Sequence, residues 1–271
     1  RTPEEGWTTH LDCVSDRFFG TLRANLTDGY ILCFCHIKTS LVRTVKTIGT
    51  AIVKVFDLMI ATTGWNEKRL KAANRAHQAI HIHPNSHAGY YPDAKQIALK
   101  LIFDPKTGEI LGGQGVGVDG VDKRIDVIAT AIRGGLSAPE LADLELAYAP
   151  PFGSAKDPVN MLGYIAENMM SGLLKTAQWN QTQELRNSGY QLIDVRTPSE
   201  FANGSIPGAI NIPVDEIRGR VGEIKKEPIL VNCQVGQRGH TATMLLTELG
   251  FDATNLDGGY LTYSNSPASV N

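Results

Sequence analysis

Ile229-Leu230-Val231-Asn232-Cys233-Gln234-Val235-Gly236-Gln237-Arg238-Gly239-His240, followed by Thr241-Ala242-Thr243-Met244-Leu245-Leu246, decides how the C-terminal third of the chain is read. A short apolar run ends at a cysteine, which predicts a buried strand. A turn with two glycines follows, and a helical pattern then continues to Gly250. Cys233 is thus expected where a strand hands over to a helix, with glycines that let the backbone curl around it. Unpaired N–H groups of a tight turn and a helix start converge on such a point. Together with Arg238 they favour thiolate over thiol, and would equally favour a persulfide anion. The competing expectation is a buried structural thiol, a common fate of free cysteine.

Four residues separate Cys233 from Arg238. Cysteine-dependent phosphatases use one more, to cradle a tetrahedral phosphate; the shorter loop leaves room for a sulfur atom. In this the stretch resembles the active loop of the rhodanese family of sulfurtransferases. Leu192-Ile193-Asp194-Val195-Arg196-Thr197-Pro198-Ser199-Glu200-Phe201, Ile206-Pro207-Gly208-Ala209-Ile210-Asn211-Ile212-Pro213 and Asn255-Leu256-Asp257-Gly258-Gly259-Tyr260 resemble the other rhodanese signatures, in order. Ser205 departs from the family, many of whose members carry His there. The resemblance implies that Cys233 is the catalytic residue and that Gln234, Val235, Gly236, Gln237 and Arg238 form the substrate-binding loop, with Gln234 and Gln237 at its entrance.

The 271 residues carry a formal charge of −2 and 42% hydrophobic residues, which suits one or two soluble domains. Near-neutral charge without a basic run argues against a nucleic-acid partner. No apolar run is long enough to cross a membrane. Four cysteines do not make a disulfide framework, and a reactive thiol suits a reducing compartment, so a cytoplasmic location is expected. The first residue is Arg rather than Met, so a preceding segment is expected.

Residues 1–45 remain unassigned and read as the remnant of an upstream domain. Cys33, Cys35 and His36 invite a metal reading. The C-x-C spacing is poor for one tetrahedral ion and no second pair lies nearby, so no metal is expected. From residue 46 the pattern becomes orderly. Ile48–Asp57 reads as a strand that Leu58–Gly64 continues after a bend, then a helix from Asn66 as N-cap, and a strand ending at Pro84. A hairpin of 96–103 and 110–118 follows, then an amphipathic helix with Val121, Ile125, Ile128 and Ile132 on one face. A last helix starts after Asp157 with Pro158 in its first turn. Gly115-Val116-Gly117-Val118-Asp119-Gly120 spells G-x-G-x-x-G between strand and helix. No second parallel strand with an acidic end follows, so these glycines are read as serving a turn and close packing.

His83-Pro84-Asn85-Ser86-His87-Ala88-Gly89-Tyr90-Tyr91-Pro92, Gly120-Val121-Asp122-Lys123-Arg124-Ile125-Asp126-Val127 and Tyr148-Ala149-Pro150-Pro151-Phe152-Gly153 resemble the C-terminal dimerisation domain of flavin-dependent disulfide reductases. Within that family the coenzyme A-disulfide and persulfide reductases with a C-terminal rhodanese are nearest. The resemblance implies a homodimer, FAD, NAD(P)H and coenzyme A as the cofactors of a complete member, and two tyrosines that reach the partner's active site. These fall on Tyr90 (or its neighbour Tyr91) and Tyr148. The family's flavin and nicotinamide domains and redox cysteine find no match here, so no cofactor is expected in this chain alone.

The expected architecture is an α+β dimerisation domain of the disulfide-reductase type, residues 46–175, a polar joint, and an α/β rhodanese domain with a mostly parallel sheet, residues 180–265. Within the latter, Asp194 and Arg196 are read as a strand-end ion pair, Asp257-Gly258-Gly259 as a turn, and His240 as an exposed helix-start histidine. The function expected is transfer of sulfane sulfur between small-molecule donors and thiol acceptors through a Cys233 persulfide. The alternative is a non-catalytic dimerisation fragment.

Overall fold

The computed structural model describes the backbone of β1 (Tyr30–Cys35) and β2 (Lys38–Arg43) and all of residues 47–269. The chain divides into two units, residues 1–47 and 48–271. In the first, β1 and β2 form an antiparallel hairpin. The side chains of Cys13, Cys33, Cys35 and His36 lie outside the described residues, and with them the metal reading.

The second unit opens with β3 (Ala51–Val55) and β4 (Leu58–Gly64). The expected bend between them is a full reversal: Val55 pairs with Leu58 across a two-residue turn. Phe56 makes the turn at a φ of 53°, and its ring stands in solvent. Then come α1 (Glu67–Ala72), β5 (Gln78–Ile82), β6 (Ile97–Phe103), β7 (Ile110–Gly117), α2 (Val121–Gly134) and α3 (Pro158–Met170). Asn66 caps α1 by accepting the Arg69 N–H, and Asp157 caps α3 by accepting that of Val159. The strands form one antiparallel sheet in the order β3-β4-β7-β6-β5.

Val121, Ile125 and Ile128 of α2 are fully or almost fully buried against this sheet, each worth roughly 1.5–3 kcal/mol. The glycines of β7 let the helix in. A Cβ on Gly115 would lie 2.8 Å from Val121 Cγ1, and one on Gly117 2.8 Å from Ile97 Cγ2. Gly120 starts α2 at a φ of 71°. The G-x-G-x-x-G pattern is therefore filled by side chains on one side and offers no cradle for a dinucleotide. The buried Arg124 joins α2 to α3, donating to Asp157 Oδ2 at 2.9 Å and to the Ser86 carbonyl at 2.8 Å.

The remaining strands are β8 (Thr176–Ala177), β9 (Gln191–Asp194), β10 (Ile210–Asn211), β11 (Ile229–Asn232) and β12 (Ala253–Leu256). The helices are α4 (Thr182–Asn187), α5 (Pro198–Ala202), α6 (Ile217–Arg220), α7 (Gln237–Glu248) and α8 (Gly259–Ser264). All five strands run parallel, in the order β10-β9-β11-β12-β8. The polar stretch read as a joint contributes β8, which pairs with β12 and belongs to the sheet. Of the quoted stretch 206–213, only the two residues of β10 pair in the sheet. The DGG turn leads into α8, which six residues after two glycines do not announce.

Candidate active site

Cys233 follows the last residue of β11, and α7 starts after Gly236, whose φ of 93° turns the chain. The Gly236 N–H donates to Cys233 Sγ at 3.2 Å. The sulfur therefore sits at a helix start under an amide, as the strand-turn-helix pattern implied. The expected ring is narrower, with that single amide bonded to sulfur. The competing expectation is also met in part. Cys233 is fully buried and packs in one core cluster with Ile193, Val195, Ile212 and Ala242.

The outside of the loop is held by a second element. Tyr260 N donates to the Cys233 carbonyl at 2.7 Å and Leu261 N to the Gln234 carbonyl at 2.9 Å. Both donors lie in the first turn of α8, where amides lack intrahelical partners. With these two carbonyls occupied from outside, the Gly236 N–H is the loop amide directed at the sulfur. Gly259, at a φ of 62°, permits this contact: a Cβ there would lie 2.4 Å from the Cys233 carbonyl oxygen. Sequence reasoning missed this role of α8; the two consecutive glycines were its signal.

Behind the loop lies a buried polar knot. Asp194 accepts from Arg196 N and Nε at 3.0 Å, from Arg196 Nη2 at 2.7 Å and from Asn232 Nδ2 at 2.9 Å. This is the expected strand-end ion pair. Arg196 also donates to Gln234 Oε1 at 3.1 Å and stacks 4.2 Å over the Tyr260 ring. Gln234 Oε1 thus faces Arg196.

Arg238 is half-buried and forks onto Glu200 of α5, at 2.8 and 2.6 Å. Its charge, read as favouring the thiolate, is shared with a carboxylate. Glu200 is further held by the Thr197 N–H and hydroxyl, a capping box that Thr197-Pro198-Ser199-Glu200 signals. The Arg238 hydrogen bonds first, and those from Thr197 next, bring the Glu200 carboxyl down from 4.5 to about 2. A carboxyl depressed on folding contributes stability that is complete above its unfolded value and fades as pH falls through its folded one. The stability difference between wild type and Glu200→Gln should therefore be largest above about pH 5. It should close toward pH 2, as read from urea midpoints across pH; a constant difference would contradict the pairing.

Val235, Gly236 and Gln237 line a cleft of about 270 Å³. Its opposite wall is built by α3 with Met161, Tyr164 and Ile165. His240 lines it too and is half-buried, not exposed as expected; burial lowers its basicity, and its Nδ1 is buried without a hydrogen bond. Among the described residues no group of three or more His, Cys, Asp or Glu is placed to hold a metal.

The tyrosines lie apart from this site in the first domain. Tyr90 and Tyr148 are both exposed and their hydroxyls meet at 3.1 Å, while Tyr91 packs edge-on against His87. That distinguishes Tyr90 from its neighbour. The hydrogen bond to Tyr90 pushes the Tyr148 phenol above its ordinary value.

Comparison with known proteins gives two successive matches. Residues 50–158 match the pyridine nucleotide-disulphide oxidoreductase dimerisation domain, and residues 178–266 match the rhodanese-like domain. Coenzyme A disulfide reductase of Staphylococcus haemolyticus is 40% identical over 122 residues, 45% of this chain and 27% of its own length. The crystal structure of reduced Bacillus anthracis CoADR-RHD aligns over 83% of this chain and 40% of its own, at 50% identity and a TM-score of 0.80. An NAD-dependent persulfide reductase from A. fulgidus aligns over 79% of this chain and 38% of its own, at 38% identity and a TM-score of 0.71. The chain thus spans well under half the length of each of these relatives. Among the described residues no helix is long and apolar enough to cross a membrane. The antiparallel sheet and the parallel sheet thus fall within a pyridine nucleotide-disulphide oxidoreductase dimerisation domain and, C-terminal to it, a rhodanese-like domain.

Proposed function

We propose that the C-terminal domain is a sulfurtransferase that carries sulfane sulfur on Cys233. The supporting observation is the Gly236 N–H on Sγ at the start of α7, in a loop whose carbonyls are already occupied by α8. The Cys233 thiolate attacks the outer sulfur of a donor such as thiosulfate or a small persulfide. A bond forms between Sγ and that sulfur, and the bond to the donor's remainder breaks. The remainder leaves with the electron pair as sulfite or thiolate. The new terminal sulfur is stabilised by the loop amides. An acceptor thiolate or cyanide then attacks that sulfur, and Cys233 leaves as thiolate. Cys233 is buried, and the cleft lined by the neighbouring Val235, Gly236 and Gln237 is the approach proposed for the donor.

The same reading divides the chain at residues 46–175 and 180–265 and makes the first of these the contact with a second copy. The Tyr90–Tyr148 pair supports it, being two exposed phenols that already share a hydrogen bond and can serve a disulfide or thiolate brought to them. In a complete reductase of this type FAD and NAD(P)H would supply the electrons. The glycines of β7 are closed by α2 and do not fit that role, so no step here runs through either cofactor. Coenzyme A as a cofactor of the complete enzyme and a cytoplasmic location belong to the same proposal.

The intact mass after incubation with thiosulfate tests it. One added sulfur is expected, located on Cys233 and removed by cyanide. An unchanged mass, with Cys233 still open to alkylation after loop opening in mild urea, would refute the assignment.

A further inference from the structure

The loop that carries Cys233 is fastened through α8 to the dimerisation domain. Asp257, the residue before Gly258, is buried. Its carboxylate accepts the backbone N–H of His81 at 3.1 and 3.0 Å, and His81 Nδ1 lies 2.6 Å from Oδ2. Gln178 Nε2 donates to the same Oδ2 at 3.1 Å and to the Ala79 carbonyl at 2.9 Å. One turn along α8, Thr262 Oγ1 lies 2.7 Å from His83 Nε2 and donates to the Gly258 carbonyl at 3.1 Å. His81 and His83 are alternate residues of the β5 segment, so they share one face of that strand's path. Gly258 has no room for a side chain: a Cβ would lie 2.9 Å from His81 Cβ and 2.0 Å from Thr262 Oγ1.

These contacts join end to end. The β5 segment grips Asp257 and Thr262; these bracket the start of α8; the α8 amides of Tyr260 and Leu261 hold the carbonyls of Cys233 and Gln234; and Gly236 then donates to the sulfur. We infer that His81 and Asp257 are positioning residues for sulfur transfer: the first domain sets the geometry of the sulfur-carrying loop across the domain boundary. This rests on the sulfurtransferase reading and adds that a rhodanese-like domain in this chain takes part of its active-site rigidity from its neighbour. At 2.6 Å the His81–Asp257 contact is the shortest of these links, and its carboxylate is buried. A loop whose outer support loosens no longer presents its amide at the angle the sulfur needs, and small misplacements of reacting groups cost large factors in rate.

The test uses the full chain and its transfer of sulfur from thiosulfate to cyanide. His81→Ala keeps the backbone N–H but removes Nδ1, and should lower kcat by about tenfold or more with little change in KM. His81→Asn places an amide N–H where Nδ1 stood and should restore most of the rate. Amide hydrogen exchange in His81→Ala should quicken at Gly236, Tyr260 and Leu261 while β9 and β11 keep their protection. Wild-type kcat in His81→Ala, or a loss of rate with unchanged exchange at those three amides, would overturn the inference. So would exchange that quickens throughout the second domain, which marks general destabilisation. A wild-type chain that takes up no sulfur would overturn the sulfurtransferase reading instead, and the positioning role with it.

Discussion

Cys233→Ser should reduce sulfur transfer from thiosulfate to cyanide to the uncatalysed rate while leaving the chain folded. The hydroxyl is too weak an acid to serve as the nucleophile and forms no persulfide, so both half-reactions are lost together. The replacement is nearly isosteric. The serine oxygen sits among Ile193, Val195 and Ala242, where a hydroxyl without a partner costs about 1–3 kcal/mol, but the Gly236 N–H is in place to meet it. The loss of activity should therefore come with a melting temperature lowered by only a few degrees. Thiosulfate-dependent transfer surviving in the variant would move the chemistry to another group.

Asp194→Ala should cost the second domain about 3–5 kcal/mol, among the larger effects expected of one substitution. Arg196 and Asp194 are buried to within 2% of full coverage of their side chains, and the carboxylate is the only acid bonded to that guanidinium in the described contacts. Removing it leaves a buried cation with the Gly204 carbonyl and Gln234 Oε1 as acceptors. Asn232 loses the acceptor for its Nδ2 as well, and its Oδ1 is already without a hydrogen bond. The urea midpoint of the second domain is the measurement. A loss under about 1 kcal/mol would show that water or a rearranged Arg196 replaces the carboxylate.

The parts of this molecule that were legible from residue order share a local cause. The α2 face of Val121, Ile125 and Ile128, the Asn66 and Asp157 caps and the Cys233 turn depend on spacing within a few residues. The Asp194–Arg196 pair was legible for the same reason, since the partners stand two residues apart. What was missed depends on residues far apart in the chain. Arg238 could not be seen to meet Glu200, 38 residues earlier, nor His81 to meet Asp257, 176 residues later. The strand β8 is two residues long, shorter than any periodicity can register, and exists because β12 runs beside it. The reversal at Phe56 was hidden because a bulky aromatic seldom takes a positive φ. His240 was misjudged because position at a helix start says nothing of the long-range packing that half-buries it.

The placement of β8 also bears on when the second domain can fold as the chain leaves the ribosome. Thr176 and Ala177 are synthesised first among its strands, yet their pairing partners, Asn255 and Leu256, come almost last. The antiparallel sheet and its covering helices are complete once Met170 has emerged. The parallel sheet must wait for some eighty further residues before its edge can close, a long-range pairing that favours slow, late folding. Nascent chains stalled before β12 should therefore carry a finished first domain and an open, protease-sensitive second one.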